Sequence, residues 1–270
     1  MNKEYPSLKS IENIPLYCFL KQITKRTSVL EFGAASGYMT KYLKEERGCK
    51  VTCIEINPQS AKVCEQYAEK VIVADIDTGN WEGQLEQKYD YILFADVLEH
   101  LREPEAALAE ALKFLAPDGT VITSIPNIAH SAIILSLLRG RFEYTKFGLL
   151  DDTHIHFFTR QSITEMFERN GLISVEENNS IRLPSRTEFR EHYCSSPFFS
   201  LTLLRKPDAH VYQFISMWKR KQEGSVKGVM NGYRIPFYRI PYLCCLDFKD
   251  YLFNRHCIDC LKWFRRNNKR

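Results

Sequence analysis

Ser28-Val-Leu-Glu31-Phe-Gly33-Ala-Ala35-Ser36-Gly37 is the stretch that decides the fold of this 270-residue chain. An apolar run carrying one acid, followed by small residues at 33, 35 and 37, reads as a short buried strand and a sharp turn into a helix. Small residues there let a ligand lie against the backbone. A helix opening near Gly37 aims its amide end at that ligand and favours an anionic group. A dinucleotide turn, G-x-G-x-x-G, would set Tyr38 at its third small position, where helix and strand must pack closely. Tyr38 is too large for that position. The competing reading is a tight strand–helix turn with no ligand.

Outward from this stretch, strands alternate with helical patterns, which predicts an α/β fold with a doubly wound, mostly parallel sheet. Strands are expected at Ser28–Phe32, Lys50–Ile54, Val71–Ala74, Asp90–Ala95 and Thr120–Ile125. Helices are expected from about Gly37 to Glu46, over Pro58–Lys70 and over Glu103–Leu115, the last ended by a turn at Ala116-Pro-Asp-Gly119. The alternation then breaks into a long connection, Asn127–Phe158, with an apolar helix candidate at Ser131–Leu138. Thr159 is the expected N-cap of a helix from Arg160 to Asn170, and Gly171 its stop. Leu172–Glu176 and His210–Trp218 read as two final strands. Glu177–Ala209 between them reads as a loop.

In such sheets ligands bind beyond the carboxyl ends of the strands. Three acids stand there in register: Glu31 at the end of the first strand, Glu55 at the second and Asp75 at the third. A carboxylate at Glu55, about twenty residues past the glycines, can accept two hydrogen bonds from a ribose diol. The fourth strand runs into Asp96-Val-Leu-Glu99-His100-Leu, and Leu115-Ala-Pro-Asp-Gly119 and Ser124-Ile-Pro126-Asn127 follow. As a set, these motifs over residues 25–130 resemble the class I S-adenosylmethionine (SAM)-dependent methyltransferases, in particular the small-molecule enzymes akin to ubiquinone and sugar methyltransferases. The resemblance implies a Rossmann-like, doubly wound seven-stranded sheet, mostly parallel with an antiparallel last strand, and SAM as cofactor. Glu31 would hold the ammonium of its methionine moiety, with Gly33, Ala35, Ser36 and Gly37 forming the turn beneath it. Glu55 and Ile56 would take the ribose, Asp75 the adenine amino group, Ile76 the ring face, and Asp96 would lie near the methionine end. His100, four residues on, reads equally as a structural or a catalytic histidine.

A narrower resemblance covers Pro126-Asn-Ile-Ala-His130, Leu138-Arg-Gly-Arg-Phe142-Glu-Tyr144 and Gly148-Leu-Leu-Asp151-Asp-Thr-His154-Ile-His-Phe-Phe158-Thr. These are similar to a subgroup associated with bacterial surface-polysaccharide biosynthesis, which usually carries Arg where this chain has His156. It implies that Asn127–Thr159 walls the acceptor side. A sugar hydroxyl is a poor nucleophile and gains from a general base. His154, with Asp151 three residues before it to orient the ring, is the first candidate and His130 the second. His154 bonded to a loop carbonyl is the structural alternative. Tyr144, with an ordinary pKa of about 10, fits a pocket wall better than an acid or base.

The expected activity is methyl transfer to a hydroxyl or amine of a small molecule, with a sugar or glycan intermediate favoured. Two other classes stay open: a SAM-binding scaffold without turnover in a glycan-assembly complex, and an RNA or protein methyltransferase. No Asn-Pro-Pro-Tyr-like tetrapeptide follows the fourth strand, which counts against a nitrogen-directed nucleic-acid enzyme.

Composition adds bounds. The chain is 44% hydrophobic and 26% charged, ordinary for a globular protein. Its longest apolar run, around Ala132–Leu138, is far shorter than the ~20 residues of a membrane span. Met1–Ser10 is polar and does not read as a signal peptide, so a cytoplasmic protein is expected. Of the nine cysteines, Cys18, Cys49, Cys53 and Cys64 fall in element patterns and read as buried thiols. Cys257-x-x-Cys260, near Cys244, Cys245 and His256, is half of a zinc pattern without its second pair, so no metal site is expected. The net charge of +4 divides unevenly: residues 221–270 sum to +7 and residues 1–220 to −3. A methyltransferase domain over 1–220 and a basic, aromatic-rich extension over 221–270 are therefore expected. The extension reads as a terminal helix packing its aromatics, as an interfacial segment on anionic lipid at the inner face of the membrane, or as a nucleic-acid tail. The body carries no basic stripe to support the last.

Overall fold

The computed structural model describes residues 15–189, 203 and 206–222. The extension expected over 221–270, and Cys244, Cys245, His256, Cys257 and Cys260 within it, lie almost wholly outside the described residues. Of the described residues, those in Met1–Pro126, Thr153–Ser180 and Gln213–Met230 form one compact unit. Those in Asn127–Asp152 and Ile181–Tyr212 form a second.

In chain order the elements are α1 (Pro15–Leu20), β1 (Ser28–Phe32), α2 (Tyr38–Arg47), β2 (Lys50–Glu55), α3 (Pro58–Cys64), β3 (Lys70–Val73), β4 (Tyr89–Ala95), α4 (Pro104–Leu112) and β5 (Leu115–Pro126). There follow α5 (Ser131–Leu137), α6 (Arg160–Arg169), β6 (Leu172–Glu177), the two-residue β7 (Ser180–Ile181) and β8 (Val211–Arg220). The sheet runs β3-β2-β1-β4-β5-β8-β6, with β7 paired to β8 off this path. The first five strands are parallel, and β8 is antiparallel to both of its long neighbours. This is the doubly wound sheet with an antiparallel last strand that the sequence predicts, enlarged by β7.

Strand alternation fills both faces. Val29, Val51, Leu93, Ile122 and Met217 share a buried cluster with Tyr17, Phe19 and Leu43. Side chains of the other parity face the opposite way: Phe32 and Phe94, paired in register, stack at 4.4 Å, and Trp81 meets Phe32 edge-on. Farther along, Phe167 of α6 stacks on Trp218 at 4.2 Å, and the indole N–H donates to Thr123 Oγ1. Apolar burial on both faces explains why these strands read as near-continuous hydrophobic runs.

Several boundaries differ from expectation: the helix predicted to Leu115 ends at Leu112, and two further differences have clear causes. The helix predicted over Pro58–Lys70 ends at Cys64, because five residues must carry the chain back to the sheet, where the Glu69 N–H donates to the Val51 carbonyl. The predicted Ala116–Gly119 turn sits inside β5. The register steps from Tyr89–Leu115 to Tyr91–Thr120, so the turn is absorbed as an irregularity of a strand that continues on both sides. Thr159 is the predicted N-cap of α6, closing a reciprocal capping box with Ser162.

Candidate functional site

The strand order reverses between β1 and β4, which opens a crevice at the carboxyl end of β1. The turn that follows is held from the next strand. The Gly33 N–H donates to the Ile54 carbonyl at 2.8 Å, and the Ala35 N–H donates to Glu55 Oε2 at 2.7 Å. Glu55 Oε1 accepts from the Asn57 N–H at 2.9 Å, and Asn57 caps α3 with its own side chain. Both oxygens of Glu55 thus brace the turn, and each keeps a lone pair for a further donor. Glycine is required at both ends of the turn. A Cβ on Gly33 would lie 2.7 Å from Val97 Cγ2, and one on Gly37 2.8 Å from Cys64 Sγ, each at positive φ.

Glu31 is fully buried at the base of this turn. Its Oε2 accepts from Thr40 Oγ1 at 2.7 Å, and its Oε1 has no hydrogen-bond partner among the described residues. Burial pushes the carboxyl up to about 8, against the opposing pull of the Thr40 hydroxyl. A buried carboxylate with an orphaned oxygen suits a cationic ligand group, which would restore its charge.

Six of the ten residues expected to hold a cofactor line one cavity of about 430 Å³: Gly33, Glu55, Ile56, Asp75, Ile76 and Asp96. Glu31, Ala35, Ser36 and Gly37 are not among its lining residues; they form its foundation. Asp96 stands at positive φ, and its Oδ1 accepts from Gln213 Nε2 at 2.7 Å and Ser124 Oγ at 3.3 Å. The remaining lining is His100, which the sequence singles out, with Asp77, Val97, Leu101, Arg102 and Ile155, to which it assigns no role. Asp77 accepts from the Arg102 and Glu103 N–H groups and so ties the end of β3 to the turn before α4. Gln213 could not have been found either, since β8 lies more than a hundred residues from Asp96 in sequence.

The expected catalytic residues divide between the units. His154 belongs to the first unit, its ring meeting His100 edge-on at 4.8 Å between centroids. His130 belongs to the second. Fully buried, it caps α5: Nδ1 accepts from the Ala132 N–H and Nε2 donates to the Arg182 carbonyl. Both nitrogens are therefore occupied, and burial holds the imidazole down to about 4. His130 is built as a structural cap, with no nitrogen left to take a substrate proton. Asp151 is also in the second unit, where it bridges Thr145. Tyr144 is largely exposed rather than enclosed in a wall.

A strand-end ring of acids around a glycine turn, at the switch point of a seven-strand path with an antiparallel β8, defines the class I methyltransferase fold. A family model described as a methyltransferase domain matches residues 9–177. The chain belongs to this family of SAM-dependent methyltransferases. It is 23% identical over 181 residues to the ubiquinone biosynthesis O-methyltransferase of Xanthomonas campestris, covering 62% of this chain and 74% of that enzyme. It is 27% identical over 128 residues to (S)-coclaurine N-methyltransferase of Thalictrum flavum, covering 44% of this chain and 34%, about a third, of that one. Among solved structures it resembles in fold the magnesium protoporphyrin IX methyltransferase of Synechocystis, determined with S-adenosylhomocysteine bound. The TM-score is 0.52 at 14% identity, over 82% of this chain and 90% of that one.

Proposed function

We propose that this protein transfers the methyl group of SAM to a hydroxyl or amine of a small molecule, with a sugar or glycan intermediate as the favoured acceptor. The observation that carries the reading is the convergence of Glu55, Asp75 and Asp96 on one cavity, above the buried, half-satisfied carboxylate of Glu31. Glu31 would hold the ammonium of the cofactor, Glu55 its ribose diol, and Asp75 with Ile76 its adenine. SAM, when bound, supplies a methyl group already activated on a sulfonium. The chain's own task is then to orient the acceptor and exclude water, an effect worth several kcal/mol. His154 is assigned to the acceptor side, because its neighbours His100 and Ile155 line the cavity. The motifs of residues 126–159 favour a glycan acceptor. On the same reading, the basic residues 221–270 would dock on an anionic membrane that carries a lipid-linked substrate.

Calorimetric titration with SAM, run beside Glu55→Gln, tests the reading. Micromolar binding that weakens at least tenfold in the variant is expected, followed by turnover of a nucleotide-sugar or lipid-linked glycan. No binding to folded wild-type protein would sink it, and turnover confined to phenols would move the acceptor away from glycans.

A further inference from the structure

Glu99, His100 and His154 each present one ligand-type atom, all within 4.8 Å of one another. Two come from the 3-10 turn Leu98–His100 and the third from a segment more than fifty residues on. We propose that these three side chains form a binding site for a first-row divalent transition-metal ion, zinc, cobalt or manganese, at the edge of the cavity.

Three features beyond proximity support it. First, His100 Nδ1 lies 3.1 Å from the Thr153 carbonyl and 3.2 Å from its hydroxyl. A carbonyl can only accept, so the ring proton sits on Nδ1 and Nε2 keeps its lone pair. Metal-ligating imidazoles are set in this way, by donating the distal N–H to a carbonyl or carboxylate. Secondly, the segment bearing His154 is strapped to the turn bearing the other two ligands. The Ile155 and His156 N–H groups both donate to the Glu99 carbonyl, at 2.9 and 3.0 Å, and His156 Nε2 meets the Arg102 carbonyl at 3.0 Å. The three ligands are thus fixed by backbone bonds before any ion arrives, which lowers the ordering cost of binding. Thirdly, the Glu99 side chain is buried, which holds its carboxylate out of bulk water beside the two imidazoles.

The donor set selects the ion. Two imidazoles and one carboxylate suit zinc, cobalt or manganese, whereas magnesium and calcium favour all-oxygen shells. With metal–ligand bonds of about 2.0–2.2 Å, donors of a tetrahedral shell lie roughly 3.3–3.6 Å apart, so a pair at the 4.8 Å limit would close by about 1.2–1.5 Å through side-chain rotation. Three protein ligands leave positions for water or a substrate oxygen. His100 and Ile155 line the cavity, so such a position is within reach of an acceptor; that clause alone rests on the methyl-transfer reading.

The test uses full-length protein freed of metal with EDTA and titrated with Co2+, followed by its visible absorption. One equivalent is expected to bind with the d–d bands of nitrogen and oxygen ligation. Glu99→Gln and His154→Gln should each weaken binding at least tenfold, while melting within a few degrees of wild type in EDTA. Equal affinity in wild type and both variants would overturn the site. So would a near-ultraviolet thiolate charge-transfer band, which would place the ion on cysteine, and displacement by equimolar Mg2+ would overturn the choice of ion. SAM titration of the same wild-type sample keeps the two readings apart. Cobalt binding without SAM binding leaves the metal site standing and removes the methyltransferase reading, and the converse removes only the site.

Discussion

The Thr40 hydroxyl donates to Oε2 of Glu31 at 2.7 Å, while Oε1 of the same carboxylate has no partner among the described residues. Thr40 lies on α2 and Glu31 on β1, so the first turn of the helix steadies the acid it covers. The carboxyl is held near 8 by burial, against 4.5 in the unfolded chain. The folded state therefore binds the extra proton between these values, and its stability falls as pH rises from about 4.5 to about 8. Glu31→Gln, which keeps shape and loses the titration, should flatten that slope in thermal melts and weaken SAM binding at least tenfold. A variant with an unchanged slope would show that Glu31 is not the titrating group.

Gly37→Ala should be far more damaging than Gly140→Ala. Both glycines have positive φ, which costs an alanine roughly 1–2 kcal/mol. A Cβ at Gly37 would also lie 2.8 Å from Cys64 Sγ and 2.9 Å from its Cα, whereas nothing lies within 4 Å of one at Gly140. Urea unfolding should give a loss at Gly37 exceeding that at Gly140 by about 1–3 kcal/mol, the usual range for overpacking. Equal losses would mean that α3 yields freely.

Acid should destabilise the protein through His130 and His210. Both are buried, and burial holds them down to about 4 and about 3, against 6.5 unfolded. The unfolded chain takes up their protons first, so each removes stability as pH falls from about 6.5 toward the folded value. This opposes the Glu31 slope where the windows overlap, so single variants must separate them. His210→Leu should lessen the loss in melting temperature between pH 6.5 and 5; an unaltered acid limb would assign it to other groups.

Much of the fold was legible because its signals are local. Ser28–Phe32 is an apolar run around one acid, and small residues follow within reach of the next strand. The Thr159 cap of α6 is written in four consecutive residues. The helix predicted to Lys70 was overextended because the pull of Val51 on Glu69 is a contact between strands. Similarly, the Ala116–Gly119 turn looks terminal until Tyr89 and Tyr91 of β4 set the register on either side of it.

The chain alone determined the glycine turn, the acids at the ends of β1, β2 and β3, and hence the class of ligand, because periodicity and turn chemistry act over a few residues. Only tertiary structure decided what those groups touch. It left Glu31 half-satisfied, gave Glu55 the Ala35 and Asn57 amides, set one nitrogen of His130 as the cap of α5 and the other on the Arg182 carbonyl, and brought His154 to His100. Such roles depend on which distant carbonyl or ring a side chain meets, and that is set by the sheet order and by backbone bonds such as Ile155 to Glu99, between residues more than fifty apart in sequence.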